Sequence, residues 1–315
     1  MSEQDLFGTL RPKTATRVRL YADEIKPYRN DLDEQWMYIG ILAIPEDRHQ
    51  DALGSMMRDR KQANYPREVH FIELRNRSDA NVHNEKTLLA KYWTEHVVHD
   101  VRKTFHFHLL GLSLDHLQNL AFGTAREQRR NIYNRFFRAS VKGMLKYFFG
   151  DQVTVTNLFH DQENFLEQAD LFDWHAIWRI EQEAFEITFL TSNVVFVDSD
   201  HRKEQGHPAG SHFVQLCDVL LGGLTQYLDA TTTKDGCCEI AEVLLPLAER
   251  LVDPQQARNP HTRYSHMRRV SMSFFPSKTL SQKELEDPYL RAQSGFHITR
   301  RLLFKEKRSG QLPWL

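Results

Sequence analysis

The run VRLYADEI (18–25) is an apolar, strand-like segment that leads directly into two adjacent carboxylates. Two acids in a buried position are costly unless a cation or hydrogen-bond donors meet them. Because successive side chains of a strand point to opposite faces, Asp23 is expected on the face of Tyr21, and Glu24 on the more apolar face of Leu20. We therefore interpret the pair as one candidate ligand, Asp23, with Glu24 as its neighbour.

Five further runs rich in Val, Ile, Phe and Tyr have the composition of strands, and segments with helical spacing separate most of them. The strand-like runs are 36–44, 68–74, 105–114, 153–160 and 194–198. The helical segments are 46–62, 84–102, 126–149 and 211–228. This alternation predicts an α/β domain with a mixed sheet covered by helices on both faces.

The composition is that of an ordinary globular protein, with 41% hydrophobic and 26% charged residues and a formal net charge of −1. These values exclude a fibrous or disordered chain and indicate no overall basic field. The N-terminal MSEQDLFGTL does not have the pattern of a signal peptide, and no window approaches the length of an apolar membrane span. The three cysteines lack the spacing of a zinc site. We therefore expect a cytoplasmic protein with no membrane partner.

The C-terminal part of the chain differs from the rest in charge. Residues 260–315 contain eleven lysines and arginines against four acids, and two β-like runs, 268–275 and 297–304, lie within them. This contrast predicts a core domain over residues 1–255 and a basic extension over residues 256–315 that packs on the core.

The segment GSHFVQLCDVLLGGL (210–224) predicts a mostly buried helix that carries one acid. Ser211, Gln215, Asp218 and Gly222 are spaced by four, three and four residues and so form one stripe, with Ser211 as the expected N-cap. The other faces are apolar, so Asp218 would be buried and would need a partner. A lysine or arginine of the core would satisfy it, and so would a divalent cation shared with Asp23.

Further acids occupy comparable places. Asp161 follows the strand-like run 153–160, where it would act either as a helix cap or as a ligand. Glu68 or Glu73 of the run REVHFIELRN would supply a fourth carboxylate, and Glu68 would share a strand face with His70. Hard oxygen ligands from separate elements suit Mg²⁺ or Mn²⁺, and a pair of such ions can promote phosphodiester hydrolysis.

Several of these motifs, taken in order, resemble the domain-of-unknown-function family numbered 3800, which is placed in the ribonuclease H-like superfamily. The matching segments are YADEI (21–25), EVHFIEL (68–74), LFHDQE (158–163), and FVDSDHRKE followed by HFVQLCDVLLGG (196–223). The resemblance spans about residues 17–230 and extends weakly to SMSFFP (271–276). Two departures are Ile25, where the family has Ser, and a longer insertion before the last helix.

The resemblance implies a ribonuclease H-like core and, by analogy, a nuclease that uses Mg²⁺ or Mn²⁺. The implied catalytic and metal-binding acids are Asp23, Glu68, Asp161 and Asp218. The implied supporting residues are Glu24, His70, Ser199 and Gln215. Asp198 is a further candidate because it begins the acidic and basic loop DSDHRKEQGH, where a lid or a substrate-contacting loop would lie.

Other interpretations stay open from the residues alone. A non-catalytic ribonuclease H-like protein that binds nucleic acid or acts as a scaffold is the alternative function, and both DNA and RNA fit as partners. His106 and His108 share a strand face and fit either a zinc hydrolase or ordinary sheet packing. Arginines of the helix at 126–149 and of the basic extension are candidate phosphate contacts. They are Arg130, Arg138, Arg268, Arg269, Arg300 and Arg301.

Overall fold

The structure, a computed structural model, describes residues 15–30, 33–74, 85–117, 122–150, 152–162, 180–181, 184, 186–191, 193–252, 269–275 and 297–298. The strands are β1 (Thr16–Arg29), β2 (Gln35–Pro45), β3 (His106–Ser113), β4 (Val153–Asp161), β5 (Ile187–Phe189), β6 (Val195–Val197), β7 (Val270–Phe275) and β8 (His297–Ile298). The helices are α1 (His49–Gln62), α2 (Glu85–Val98), α3 (Ala125–Phe149), α4 (Pro208–Asp229) and α5 (Asp235–Val252). None of these helices is long and apolar enough to cross a membrane.

The strands form one mixed sheet in the order β5-β4-β1-β2-β3-β7-β8, and β6 pairs with the end of β4. β1, β2 and β3 are successively antiparallel, whereas β4 is parallel to β1 and β7 is parallel to β3. One face carries α1, α2, α4 and α5 over side chains such as Tyr21 and Leu42. The other carries α3 over side chains such as Leu20 and Ile39. The predicted α/β fold with a mixed sheet and helices on both faces is therefore confirmed.

β1 is longer than the sequence predicts, because it continues past Asp23 and Glu24 to Arg29 in its pairing with β2. Its parallel pairing with β4, in contrast, ends at Ala22 and His160. The expectation that the two acids end the strand is therefore wrong. They lie where β1 no longer pairs with β4 but still pairs with β2. Groups from other parts of the chain can therefore approach β1 there from the β4 side.

The predicted strand at 68–74 is also wrong, and with it the expectation that Glu68 and His70 share a strand face. The segment has a single turn of 3-10 helix at Phe71–Glu73 instead. Its backbone N–H groups bond to side chains of α4 rather than to a neighbouring strand, because Val69 donates to Gln215 Oε1 and Phe71 to Asp218 Oδ2. Side-chain acceptors have replaced the hydrogen bonds of a sheet.

α4 begins earlier than predicted. His207 is the residue before the helix and Pro208 occupies its first position, where a missing N–H costs nothing. Ser211 is therefore not the N-cap. Its hydroxyl donates instead to the carbonyl of Asp198 at 2.6 Å, which attaches the loop before the helix to the first turn.

The C-terminal segment contributes to the sheet through β7, and β8 pairs with β7. Arg269, predicted as a phosphate contact, is 2% exposed, and its Nε lies 3.1 Å from Asp100 Oδ2. The prediction for Arg269 is wrong because this guanidinium is used inside the fold. Arg268, Arg300 and Arg301 lie outside the described residues, and the proposed domain division at residue 255 stays a prediction.

The contact between α4 and Phe71 can be tested at Gly222. A methyl group at this position would overlap the Phe71 ring, whereas a methyl group at Gly143 of α3 would have no heavy atom within 4 Å. We expect Gly222→Ala to lower the free energy of unfolding by about 1–3 kcal/mol. Gly143→Ala, the matched control, should leave it unchanged or raise it by up to about 1 kcal/mol. Urea denaturation measures both free energies of unfolding. Equal stability of the two variants would contradict the close packing of the Phe71 ring on Gly222.

Candidate functional site

Asp23 and Asp161 lie next to each other at the end of the parallel pairing between β1 and β4. Tyr21 pairs with Phe159 in this register, and the two rings stack with their centroids 5.2 Å apart. Each acid follows its aromatic residue by two positions, so both fall on the same face of the sheet, which α4 covers. Asp23 is 7% exposed and Asp161 is 9% exposed.

Asp218 reaches this corner from α4. The thiol of Cys217 lies 3.6 Å from the carbonyl of Tyr21, so this turn of the helix packs directly on β1. Between residues 210 and 229, Asp218 is the one residue that is not buried, which corrects the expectation of a buried acid. Its Oδ2 accepts the N–H of Phe71 at 2.8 Å. This backbone donor takes part of the role that sequence reasoning gave to a core lysine or arginine.

The three acids influence one another electrostatically. Burial raises the pKa of Asp23 well above its usual range, and the negative charges of Asp218, Asp161 and Glu24 raise it further. Burial also raises the pKa of Asp161 to about 6, where the charge of Asp218 adds to the effect and that of His160 opposes it. Carboxylates crowded in this way retain protons at pH values where ordinary ones are ionised.

Glu68 and His70 form a second group beside Asp218. His70 Nε2 lies 2.7 Å from Glu68 Oε1, and His70 Nδ1 lies 3.5 Å from Asp218 Oδ2. The hydrogen bonds to Asp218 and then to Glu68 raise the pKa of His70 to about 11, so the ring is an imidazolium at neutral pH. Burial raises the pKa of Glu68, but hydrogen bonds from His70 and Ser199 outweigh it and leave the pKa lowered. The structure therefore joins Glu68 to Asp218 through His70.

Gln215 and Ser199 hold the segments around these acids in place. Gln215 Oε1 accepts hydrogen bonds from Arg60 Nη2 at 2.9 Å and from the N–H of Val69 at 3.1 Å. Its amide nitrogen donates to the carbonyl of Ser199, and the Ser199 hydroxyl donates to Glu68. Both residues thus lie beside Glu68, and their supporting role stays a prediction.

Sequence reasoning missed Arg60, which is 5% exposed near the end of α1. Besides Gln215, its guanidinium contacts the carbonyl of Tyr65 at 3.1 Å and lies over the Trp93 ring, 5.0 Å from the ring centroid. Burial lowers its pKa to about 10, so the group stays charged. Arginine on a helix with polar neighbours looks like a surface residue in a sequence, and no local signal marks Arg60 as buried.

Glu24 faces the other way, as alternation along the strand predicts. Its Oε2 lies 3.2 Å from His160 Nε2, and the same imidazole nitrogen lies 2.7 Å from the Tyr133 hydroxyl of α3. Burial raises the pKa of Glu24, but the hydrogen bond and charge of His160 outweigh it and leave the pKa lowered. Burial lowers the pKa of His160, while Glu24 raises it more, so its pKa is raised. Glu24 is therefore one half of a buried ion pair on the α3 face.

His106 and His108 are sheet-face residues. His108 Nδ1 lies 2.8 Å from the Ser271 hydroxyl, and the His106 ring packs against Phe148 and Phe149. Burial lowers the pKa of each histidine to about 4. The neutral rings pack between β3 and its neighbours, and this favours the interpretation as ordinary sheet packing.

Asp198 has a local role in the loop between β6 and α4. Its Oδ1 accepts the N–H of Asp200 at 2.8 Å, which closes a tight turn of the kind that aspartate favours.

The basic residues of α3 lie on the helix that covers the opposite face of the sheet from α4. There Arg130 is exposed and Arg138 is half-buried.

The donor set at this corner can be compared with the needs of a metal ion. Within the described ranges, no group of three or more His, Cys, Asp or Glu side chains has metal-holding geometry. The chemistry of Asp23, Asp161 and Asp218 nevertheless fits a hard divalent cation, because all their donors are carboxylate oxygens. The raised pKa values of Asp23 and Asp161 point the same way, since crowded carboxylates that retain protons also attract cations.

Comparisons of the chain with protein-family models, with curated proteins and with solved structures find no match. The resemblance to the ribonuclease H-like superfamily therefore stays a prediction, and the site has to be judged from its own geometry.

The crowding of the acids predicts how stability depends on pH. Because the pKa of Asp23 is raised in the folded state, its contribution to stability is favourable below its ordinary pKa and is lost as the pH rises through the raised value. Asn keeps the acceptor for the Glu24 N–H and carries no charge. We expect Asp23→Asn, in EDTA, to raise the free energy of unfolding at pH 7 by about 1–3 kcal/mol. The gain should disappear as the pH falls to about 4.

Chemical denaturation across this pH range measures the effect. Asp51→Asn, at an exposed position in the first turn of α1, is the control and should leave the pH profile unchanged. An Asp23→Asn variant that is no more stable than the wild type at pH 7 would contradict the inference that burial and neighbouring carboxylates destabilise the charged form of Asp23.

Proposed function

We propose that the protein is a metal-dependent nuclease of the ribonuclease H-like type, which hydrolyses phosphodiester bonds of a nucleic acid with Mg²⁺ or Mn²⁺. The observation that carries the proposal is the convergence of Asp23, Asp161 and Asp218 on one face of the sheet, where their charges raise the pKa of Asp23. The mixed sheet with helices on both faces supports the proposal at the level of an α/β fold.

The three acids come from elements that have little freedom to move. Asp23 and Asp161 belong to paired strands, and Asp218 belongs to a helix that is buried over most of its length. Such rigid elements keep ligands in position better than loops do. Two divalent cations held there would activate a water molecule and stabilise the leaving oxygen of a phosphodiester.

Glu68 adds a fourth carboxylate beside the three acids, and His70 adds a positive charge. His70 is 34% exposed in its side chain and bears a positive charge at neutral pH. It offsets the charges of Glu68 and Asp218, and its exposed edge would face an incoming phosphate. Gln215 and Ser199 orient Glu68 through the hydrogen bonds described above.

The alternative function is a non-catalytic nucleic-acid-binding or scaffold protein. It is favoured by one observation: His70 already neutralises part of the acidic cluster through its contacts with Glu68 and Asp218. Isothermal titration of Mg²⁺ and Mn²⁺ separates the two functions. Binding at millimolar or lower concentrations is expected for the nuclease, whereas no binding would favour the scaffold.

Cleavage of labelled single-stranded DNA and RNA with Mn²⁺ tests the proposed reaction directly. We expect Asp218→Asn to lower the rate by about 100-fold or more, because it removes one charge from the centre that holds the cations. EDTA should abolish cleavage by the wild type. Asp51→Asn, which removes an acid at an exposed site on α1, should cleave like the wild type. Equal cleavage by Asp218→Asn and the wild type would refute the assignment.

A further inference from the structure

The loop at residues 198–207, between β6 and α4, lies at the edge of the candidate site. The Ser199 hydroxyl donates to Glu68, and the Ser199 carbonyl accepts from Gln215. On the sheet side, Asp161 pairs with Val197, the residue just before the loop. The loop is therefore attached to both the strand and the helix that carry the candidate acids.

The acids of this loop are turned inward and bound by the loop itself. Glu204 accepts hydrogen bonds from the N–H groups of Asp198, Gly206 and His207, at 2.8–3.0 Å. Asp200 is only 2% exposed, and its Oδ1 accepts the N–H of Arg202. These carboxylates therefore organise the backbone of the loop.

The cations of the loop are turned outward. Arg202 forms a two-point contact with Asp200, with Nε to Oδ1 at 2.9 Å and Nη2 to Oδ2 at 2.7 Å. The Lys203 ammonium lies 3.4 Å from the same Oδ2. The side chains of Arg202 and Lys203 are 50% and 67% exposed. One buried carboxylate thus faces two exposed cations, and these three side chains together carry a net charge of +1, whereas the whole loop, with Asp198 and Glu204, carries −1.

Arg202 of this loop interacts electrostatically with Glu68 of the candidate site. Hydrogen bonding and charge from Asp200 raise the pKa of Arg202, and the charge of Glu68 contributes to the same rise. Beneath the loop, the rings of His201 and His212 lie 4.3 Å apart between their centroids. Burial lowers the pKa of His212 to about 3, and the charge of Arg60 lowers it further. His212 Nδ1 lies 3.3 Å from Arg60 Nη2, so the two rings lie between the buried Arg60 and the loop that carries Arg202.

We propose that Arg202 and Lys203 bind backbone phosphates of a nucleic-acid strand whose neighbouring phosphodiester lies at the acidic centre. The inference rests on the proposed nuclease function and names the residues that hold its substrate. An acidic centre repels a polyanion, so a strand can approach it only where nearby cations offset the repulsion. Asp200 occupies the Nε–Nη2 edge of the guanidinium and holds both cations in place beforehand. The Nη1–Nη2 edge then suits a phosphate, and the ammonium suits one phosphate oxygen.

Fluorescence anisotropy with 20-nucleotide single-stranded DNA and RNA tests the proposal, in EDTA so that binding is measured without cleavage. The variant is Arg202→Gln with Lys203→Gln. The control is Arg102→Gln with Lys103→Gln, because these are the same residue types in the same order, both exposed. They precede β3, which runs in the same direction as β1. The control pair therefore lies near the end of the strands opposite to the one that carries the acids.

We expect the loop variant to bind about 25-fold more weakly at 0.1 M salt, from about fivefold for each phosphate contact that is lost. The slope of log affinity against log salt should become smaller by about 1.4, and the control pair should change neither quantity. DNA and RNA should respond alike because both present the same phosphates. Thermal melting should show that both double variants are folded, as expected for substitutions at exposed positions.

Several results would overturn the proposal. One is a loop variant that binds as tightly as the control pair, even if the wild type cleaves nucleic acid. Another is a wild type that binds neither strand at 50 mM salt. If the loop variant loses binding while Mn²⁺ produces no cleavage in the wild type, the phosphate contacts are supported and the nuclease function fails. The binding and cleavage assays thus separate the two proposals.

Discussion

The parallel pairing of β1 with β4 determines where three of the candidate residues, Asp23, Glu24 and Asp161, lie. It places Asp23 beside Asp161 on the face under α4, and by the same alternation it directs Glu24 and His160 to the face under α3. A slip of one residue in this register would exchange the two sets. The hydrophobic residues of both strands resist such a slip, because each face has its own apolar core.

The carboxylates on the two faces of the sheet have opposite electrostatic environments. On the α3 face, Glu24 has a charged partner in His160 and a hydroxyl nearby from Tyr133, which compensates much of the cost of burial. On the α4 face, burial raises the pKa values of Asp23 and Asp161, and the charges of neighbouring carboxylates raise them further. This contrast between the two faces distinguishes the α4 face as the candidate site.

α4 acts as the platform on which irregular segments acquire their shape. Its polar stripe contacts the loop before α4 through Ser211, and residues 68–71 through Gln215 and Asp218. Gly222 leaves room for the Phe71 ring at the end of the same stripe. These contacts attach both irregular segments to the helix.

The sequence by itself determined the α/β class, the positions of most strands and helices, the opposite orientation of Asp23 and Glu24, and the polar stripe of α4, because these follow from local periodicity. It failed at 68–74, where a β-like composition forms a 3-10 turn. It also failed at Arg269, whose burial no local pattern shows. Only the tertiary structure decided that Asp161 joins Asp23, that His160 pairs with Glu24, and that Arg60 lies buried against Gln215. Strand order and helix docking bring together residues that are far apart in the chain, and periodicity within one segment carries no information about such partners.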